Sequence, residues 1–173
     1  YARATSVYLV DRVLPMLPEV YSNGMCSLQA NQDRLTISAF MDVDAQGQIV
    51  WYKLAPSVIR VRRRLTYTQV GRMLDGEEML YPALKGMKEI AGVLYQRRLR
   101  DGTLDFDLPE SKVRLDEQGR PVEIIVVPRL MSHRIVEEFM LAANEMVAKH
   151  LSRLDVPGMY RIHEPPNEED LNQ

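Results

Sequence analysis

The sequence predicts an α+β fold in which antiparallel hairpins pack with two long helices. Two turn motifs of the same form, Asp-x-x-Gly at residues 44–47 and 116–119, each separate two runs rich in apolar and β-branched residues. This pattern is typical of β-hairpins. Apolar residues recur at helical spacing over residues 80–100 and 132–153. Because the hairpins alternate with helices, an antiparallel sheet is favoured over a parallel one.

The chain is predicted to begin with a short apolar strand around Tyr8, followed by a connector that Pro15 and Pro18 make rigid. Proline fixes φ and lacks a backbone N–H, so it ends regular structure. Residues 19–32 contain turn-forming residues with little periodicity, which predicts an irregular segment. The other elements are predicted in this order: a hairpin at 35–41 and 48–62, a helix capped by Thr66 and ending near 75, the helix at 80–100, a hairpin at 112–115 and 122–127, the helix at 132–153, and a strand at 159–163.

Composition limits the class of protein. The 173 residues suffice for one domain with a hydrophobic core. The net charge of −2 gives the chain no overall attraction to nucleic acid or to an anionic membrane. Cys26 is the single cysteine, so no intrachain disulfide can form. A reducing cytoplasm fits this single cysteine best. Since the sequence shows neither a signal peptide nor a long apolar span, we expect a soluble, non-secreted protein without a membrane partner.

The usual catalytic devices are not recognisable from residue spacing. The three histidines lack the spacing of zinc ligands, and no serine or cysteine has a nucleophile-elbow context. No glycine-rich phosphate loop occurs. Asp42 and Asp44 could hold a divalent cation from one strand face. They lie at the mouth of a hairpin, where aspartate is common for backbone reasons, so we reject this metal site.

Two basic runs and two aromatic residues each have a structural and an RNA-binding interpretation. The arginines within residues 60–64 and 96–100 form either a solvated face, which is favoured, or a phosphate-binding surface. Tyr8 and Phe106 are either packed side chains, which is again favoured, or platforms on which a base stacks.

Glu137 and Glu138 lie within the apolar stripe of the last helix. Neighbouring helical positions point about 100° apart, so at least one of the two carboxylates should approach the apolar side. An ionised carboxylate there needs a partner or a functional use. A buried Glu–Arg pair, with Arg134 as a candidate partner, is slightly favoured over a functional role.

Three stretches of the chain carry a family resemblance. They are residues 3–19 (RATSVYLVDRVLPMLPE), 22–28 (SNGMCSL) and 133–145 (HRIVEEFMLAANE). Together they resemble the catalytic (RNB) domain of the ribonuclease II / ribonuclease R family of exoribonucleases, and the first stretch is closer to the ribonuclease R form. The intervening segments match in order and length, so the resemblance covers essentially the whole chain.

The resemblance implies a magnesium-dependent hydrolase that degrades single-stranded RNA from the 3′ end to nucleoside 5′-monophosphates, without a small-molecule cofactor. Tyr8 matches the tyrosine that stacks on the terminal nucleotide. Phe106 matches the aromatic residue that closes the other end of the stacked bases. Glu137 matches an active-site glutamate near the terminal nucleotide.

The same resemblance implies that residues 1–173 form an incomplete RNB domain, truncated at both ends. The magnesium-binding aspartates of the family correspond to positions before residue 1, and its catalytic arginine to a position after Gln173. We therefore expect the segment to be inactive alone, and we assign it no metal ligand. Two alternatives stay open: a catalytically inactive RNA-binding module, and a structural or interaction domain that reuses the scaffold.

Overall fold

A computed structural model describes residues 4–79, 81–105, 110–159, 162 and 164. Three antiparallel two-stranded hairpins alternate with helices, which confirms the predicted α+β class. The elements in chain order are β1 (Val7–Tyr8), β2 (Val13–Leu14), a π-helical segment (Val20–Met25), β3 (Asp33–Val43), β4 (Ile49–Arg60), α1 (Tyr67–Leu74), α2 (Pro82–Arg100), β5 (Glu110–Leu115), β6 (Pro121–Val127) and α3 (Met131–Arg153). The strand predicted at 159–163 lies mostly outside the described residues.

The two longer hairpins turn by the same device. In the β3–β4 turn, Asp44 Oδ1 accepts hydrogen bonds from the backbone N–H groups two and four residues later, at 2.9 and 2.8 Å. Asp116 Oδ1 does the same in the β5–β6 turn, also at 2.9 and 2.8 Å. Gly47 and Gly119 then supply the positive φ angles of 84° and 76° that complete each turn. The Asp44 carboxylate therefore hydrogen-bonds to the backbone of its own turn.

The opening segment differs from its prediction. Instead of one strand that leads into an unpaired connector, β1 and β2 pair with each other, with Tyr8 opposite Val13. Ser6 Oγ accepts the N–H of Met16 at 3.0 Å and closes this small hairpin. Pro15 follows β2 directly, so a proline does end the regular structure as expected. The sequence predicts an irregular segment at 19–32, but this segment contains the helical turns of Val20–Met25.

The helices supply the core. Thr66 caps α1, because its Oγ1 accepts the N–H of Gln69 while the Gln69 side chain accepts the N–H of Thr66. Helices α2 and α3 then pack together through their small and apolar positions. The most deeply buried apolar residues are Met73, Ala91, Leu94, Ile135, Ala142 and Met146. Within the described ranges, none of the helices is long and apolar enough to cross a membrane.

The β3–β4 turn is fastened to the end of α2. Arg97 Nη1 and Arg100 Nη2 donate hydrogen bonds to the carbonyl oxygens of Gly47 and Gln46, at 3.2 and 2.5 Å. A Cβ atom on Gly47 would lie 2.9 Å from the carbonyl oxygen of Val93. A glycine is thus required here by the contact as well as by φ. Arg97 and Arg100, two residues of the basic run at 96–100, therefore stabilise the fold.

Candidate functional site

Glu137 lies in the second turn of α3 and faces two guanidinium groups. Its Oε2 accepts a hydrogen bond from Arg129 Nη2 at 2.5 Å, and its Oε1 lies 3.9 Å from Arg98 Nη2. About a third of the side chain, 34%, is exposed. The carboxylate is therefore reachable from solvent while its charge is balanced by the two arginines.

Asp105 joins this cluster from the segment that follows α2. Arg129 Nη1 and Arg134 Nη2 donate hydrogen bonds to its two oxygens at 2.6 and 2.9 Å, and the Tyr95 hydroxyl donates another at 2.6 Å. The hydrogen bond from Tyr95, followed by that from Arg129, lowers the pKa of Asp105 to about 2. The Arg134 guanidinium also lies 3.9 Å from the centre of the Tyr95 ring. Asp105 is thereby held ionised.

Arg129 is the link between the two carboxylates. One terminal nitrogen binds Asp105 and the other binds Glu137. The hydrogen bond to Asp105 raises the pKa of Arg129 above its ordinary value, and the hydrogen bond to Glu137 raises it further. A guanidinium offers donors in a fixed plane, so its two partners are held at a defined separation.

Glu138 provides the buried pair that the sequence predicted. Its side chain is 1% exposed, and it accepts hydrogen bonds from Arg98 Nη2 at 2.6 Å and Nε at 3.0 Å. The hydrogen bond with Glu138 raises the pKa of Arg98. The expectation of a buried Glu–Arg pair is confirmed, but the suggested partner is wrong. Arg134 instead binds Asp105, at 2.9 Å.

Tyr8 lies on the β1–β2 hairpin, with 78% of its surface exposed. Among the described residues, no hydrogen bond or ring contact joins it to Glu137. Phe106 lies outside the described residues, directly after Asp105 in the chain. The structure therefore describes two of the three predicted site residues and leaves their roles as predictions.

Comparison with known proteins shows where this arrangement belongs. The family profile that matches the chain is described as the RNB domain, and the match spans residues 1–173. The chain belongs to the RNB domain family.

Two relatives illustrate the similarity of this RNB chain. It is 42% identical to ribonuclease R 2 of Lactococcus lactis over 182 residues, a match that covers 99% of this chain and 27% of the relative. It is also similar to the structure of Mycoplasma genitalium RNase R in complex with ribose-methylated single-stranded RNA, with a TM-score of 0.91 and 31% identity over 97% of this chain and 27% of that one. The structure of the same relative in complex with double-stranded RNA also matches, with a TM-score of 0.91 over 97% of this chain and 31% of that one. The RNB chain thus spans about a quarter of the length of these relatives.

The carboxylates of the RNB chain do not form a metal centre within the described residues. Over residues 4–79, 81–105 and 110–159, no three histidine, cysteine or acidic side chains are grouped so that they could hold an ion. Asp105, Glu137 and Glu138 are each neutralised by arginine instead. These arginine-paired carboxylates of the described residues do not fit a divalent cation.

Sequence reasoning missed Arg98, Asp105 and Arg129 as members of the site. Asp105 and Arg129 are 24 positions apart, and Arg98 and Glu138 are 40 apart. Helical periodicity identifies an inward carboxylate but not a partner on another element. The usable signals are the basic run at 96–100, which contains Arg98, and the position of Asp105 beside Phe106.

Proposed function

We propose that this chain is part of the RNB domain of a 3′→5′ exoribonuclease that hydrolyses single-stranded RNA to nucleoside 5′-monophosphates. The observation that carries the proposal is the 42% identity to a ribonuclease R over 99% of the chain. The ribose-methylated single-stranded RNA in the similar M. genitalium structure supports RNA as the partner. Residues 1–173 then supply the positioning of the RNA 3′ end.

Tyr8 is proposed to stack on the terminal base and Phe106 on the other end of the stacked bases. The high exposure of Tyr8 supports this role, because a base needs an open aromatic face. Every base has such a face, so stacking binds RNA without sequence preference. The rigid end of the β1–β2 hairpin at Pro15 favours a fixed position for the tyrosine.

Glu137 is proposed to act near the terminal nucleotide. Its partial exposure and its fixed position between Arg129 and Arg98 support this role. A carboxylate held by two arginines keeps its orientation and adds little net repulsion toward a phosphate. This chemistry suits a group that orients the RNA end through its sugar or an associated water.

The intact enzyme is proposed to use Mg²⁺, as the ribonuclease relatives suggest, and no small-molecule cofactor. Mg²⁺ would activate water and neutralise developing charge on the phosphate. No ligand for it is assigned in this chain. A cytoplasmic location is proposed because the single Cys26 suits a reducing compartment.

Fluorescence polarisation with a labelled oligo(A) tests RNA binding by the 173-residue chain. Tyr8→Ala should weaken binding by about 1–3 kcal/mol, or about 5- to 150-fold in Kd, while Tyr8→Phe should bind like the parent. Tyr21→Ala is the matched control, because Tyr21 is another tyrosine that is 46% exposed. Equal effects of Tyr8→Ala and Tyr21→Ala would contradict the stacking role.

A 3′-digestion assay with Mg²⁺ tests whether residues 1–173 can degrade RNA by themselves. We expect no release of nucleotide by residues 1–173 alone. Release that Tyr8→Ala abolishes would refute the proposal that the segment is inactive alone. No measurable RNA binding in the polarisation assay would favour the alternative of a structural or interaction domain.

A further inference from the structure

Most arginines of the described chain have an acidic or carbonyl partner. Arg60, for example, binds both carboxylate oxygens of Asp33, at 2.6 and 2.8 Å. Arg62 and Arg64 differ, since both are exposed and make no hydrogen bond or ion pair with any described residue. Among the residues that the structure describes, the donors of these two guanidinium groups therefore have no partner.

Arg63 lies between Arg62 and Arg64 in the chain and contacts an aromatic ring. It donates a hydrogen bond to the hydroxyl of Tyr81, and its guanidinium carbon lies 5.9 Å from the centre of that ring. Tyr81 is half-buried at the start of α2. Combined arginines and aromatic rings are the surface chemistry that single-stranded nucleic acids bind. We name residues 62–64 the arginine loop.

The arginine loop is held at both ends. Before it, the carbonyl oxygen of Val61 accepts the N–H of Asn31 at 2.7 Å. After it, Thr66 begins α1 with a capping box. Only a short stretch of backbone can therefore move, and less conformational entropy is lost when a ligand orders it.

The anchor of the loop also leads to a family motif. Asn31 closely follows residues 22–28, one of the stretches that carry the RNB resemblance. Arg34 ties this stretch down, because its Nε donates to the carbonyl oxygen of Ser27 at 2.8 Å. The arginine loop is thus fastened to a segment of the proposed RNA-processing domain.

We propose that the arginine loop is a second RNA contact, in which Arg62 and Arg64 bind the phosphate backbone of single-stranded RNA. Exposed guanidinium groups form charge-assisted, bidentate hydrogen bonds with phosphate oxygens. The chain as a whole has a net charge of −2, so a local excess of positive charge is needed to attract RNA. The proposal rests on the proposed function only in taking RNA as the ligand.

The test compares two double substitutions that remove the same charge. Arg62→Gln/Arg64→Gln removes the two arginines that have no partner in the described part of the chain. Arg114→Gln/Arg120→Gln removes two exposed arginines that are bound to Glu123 and Asp116. Kd for a labelled oligo(A) of about 20 nucleotides is measured between about 50 and 200 mM salt for each variant. Circular dichroism checks that both variants keep the parental secondary structure.

For the arginine-loop variant, we expect Kd to rise about 3- to 10-fold at the lowest salt. The logarithm of the association constant decreases linearly with the logarithm of the salt concentration. The magnitude of this slope should decrease by about 1.4 in the variant, because each lost single-strand phosphate contact accounts for about 0.7. The control should keep the parental slope. Arg62→Lys/Arg64→Lys should restore most of the slope, since lysine still neutralises phosphate.

The same titration separates the failure of this inference from that of the proposed function. Equal slopes for the arginine-loop variant and the control would overturn the inference. A reduced slope for the arginine-loop variant, together with an unchanged Kd for Tyr8→Ala, would retain the arginine loop and refute 3′-end stacking by Tyr8.

Discussion

Removal of Arg98 should strongly destabilise the fold, because it leaves the Glu138 carboxylate buried without its partner. Glu138 is 1% exposed and Arg98 is 18% exposed. Loss of one member of a buried ion pair costs about 3–5 kcal/mol, and the partial exposure of Arg98 places the expected cost of Arg98→Met near the lower end. A cost of about 3 kcal/mol lowers Tm by about 6–12 °C for a chain of this size.

Two further variants show whether the loss of stability in Arg98→Met comes from the unpaired carboxylate of Glu138. Arg98→Met/Glu138→Leu replaces the pair by apolar side chains, and such replacements are often neutral or stabilising. The double variant should therefore be more stable than Arg98→Met alone, by about 2 kcal/mol or more. Arg114→Met breaks an exposed pair with Glu123 and should cost no more than about 1 kcal/mol.

Thermal unfolding followed by circular dichroism, supported by urea denaturation, measures these differences. The reasoning fails if Arg98→Met is no more destabilising than Arg114→Met. It also fails if the two single substitutions at Arg98 and Glu138 simply add in the double variant, because the two residues would then be uncoupled.

Two further predictions concern Asp105 and Gly47. Asp105 has an ordinary pKa of 3.8 that folding lowers to about 2, so its stabilising effect is present above about pH 4 and is lost as pH falls toward 2. The parent should therefore lose more stability over this range than Asp105→Asn in acid titrations of the urea midpoint, and parallel curves would contradict this. Gly119→Ala should cost about 1–2 kcal/mol from its φ of 76° alone, since a Cβ there has no atom within 4 Å. Gly47→Ala should cost about 1–3 kcal/mol more in urea denaturation, because its Cβ would lie 2.9 Å from the Val93 carbonyl oxygen; equal costs would show that this contact relaxes freely.

The elements that could be predicted from the sequence are those specified by neighbouring residues. Asp44 and Gly47 define a turn within four positions, and Thr66 with Gln69 defines a helix start within another four. The β1–β2 hairpin could not be foreseen in the same way. Strands of two residues are too short to show an alternating pattern, and their pairing is visible only in three dimensions.

The candidate site was predicted less completely because its contacts join distant elements. The position of Glu138 within an apolar stripe predicted a buried ion pair, and this physical argument was correct. Its partner comes from α2, and the arginine that holds Glu137 comes from the residues just before α3. Several arginines were available in the sequence, and only the packing of α2 against α3 selects among them.

The distribution of charge suggests that the cluster at α3 and the arginine loop have different roles in RNA binding. The cluster at α3 contains three carboxylates, of Asp105, Glu137 and Glu138, and three guanidinium groups that pair with them. Paired charges of equal number produce a weak field beyond their own contacts, so this cluster suits the orientation of an RNA end already bound. The arginine loop has no described acidic partner at Arg62 or Arg64. Its field extends into solvent over about a Debye length, and we therefore expect loss of these arginines to slow RNA association, whereas Tyr8→Ala should mainly speed dissociation.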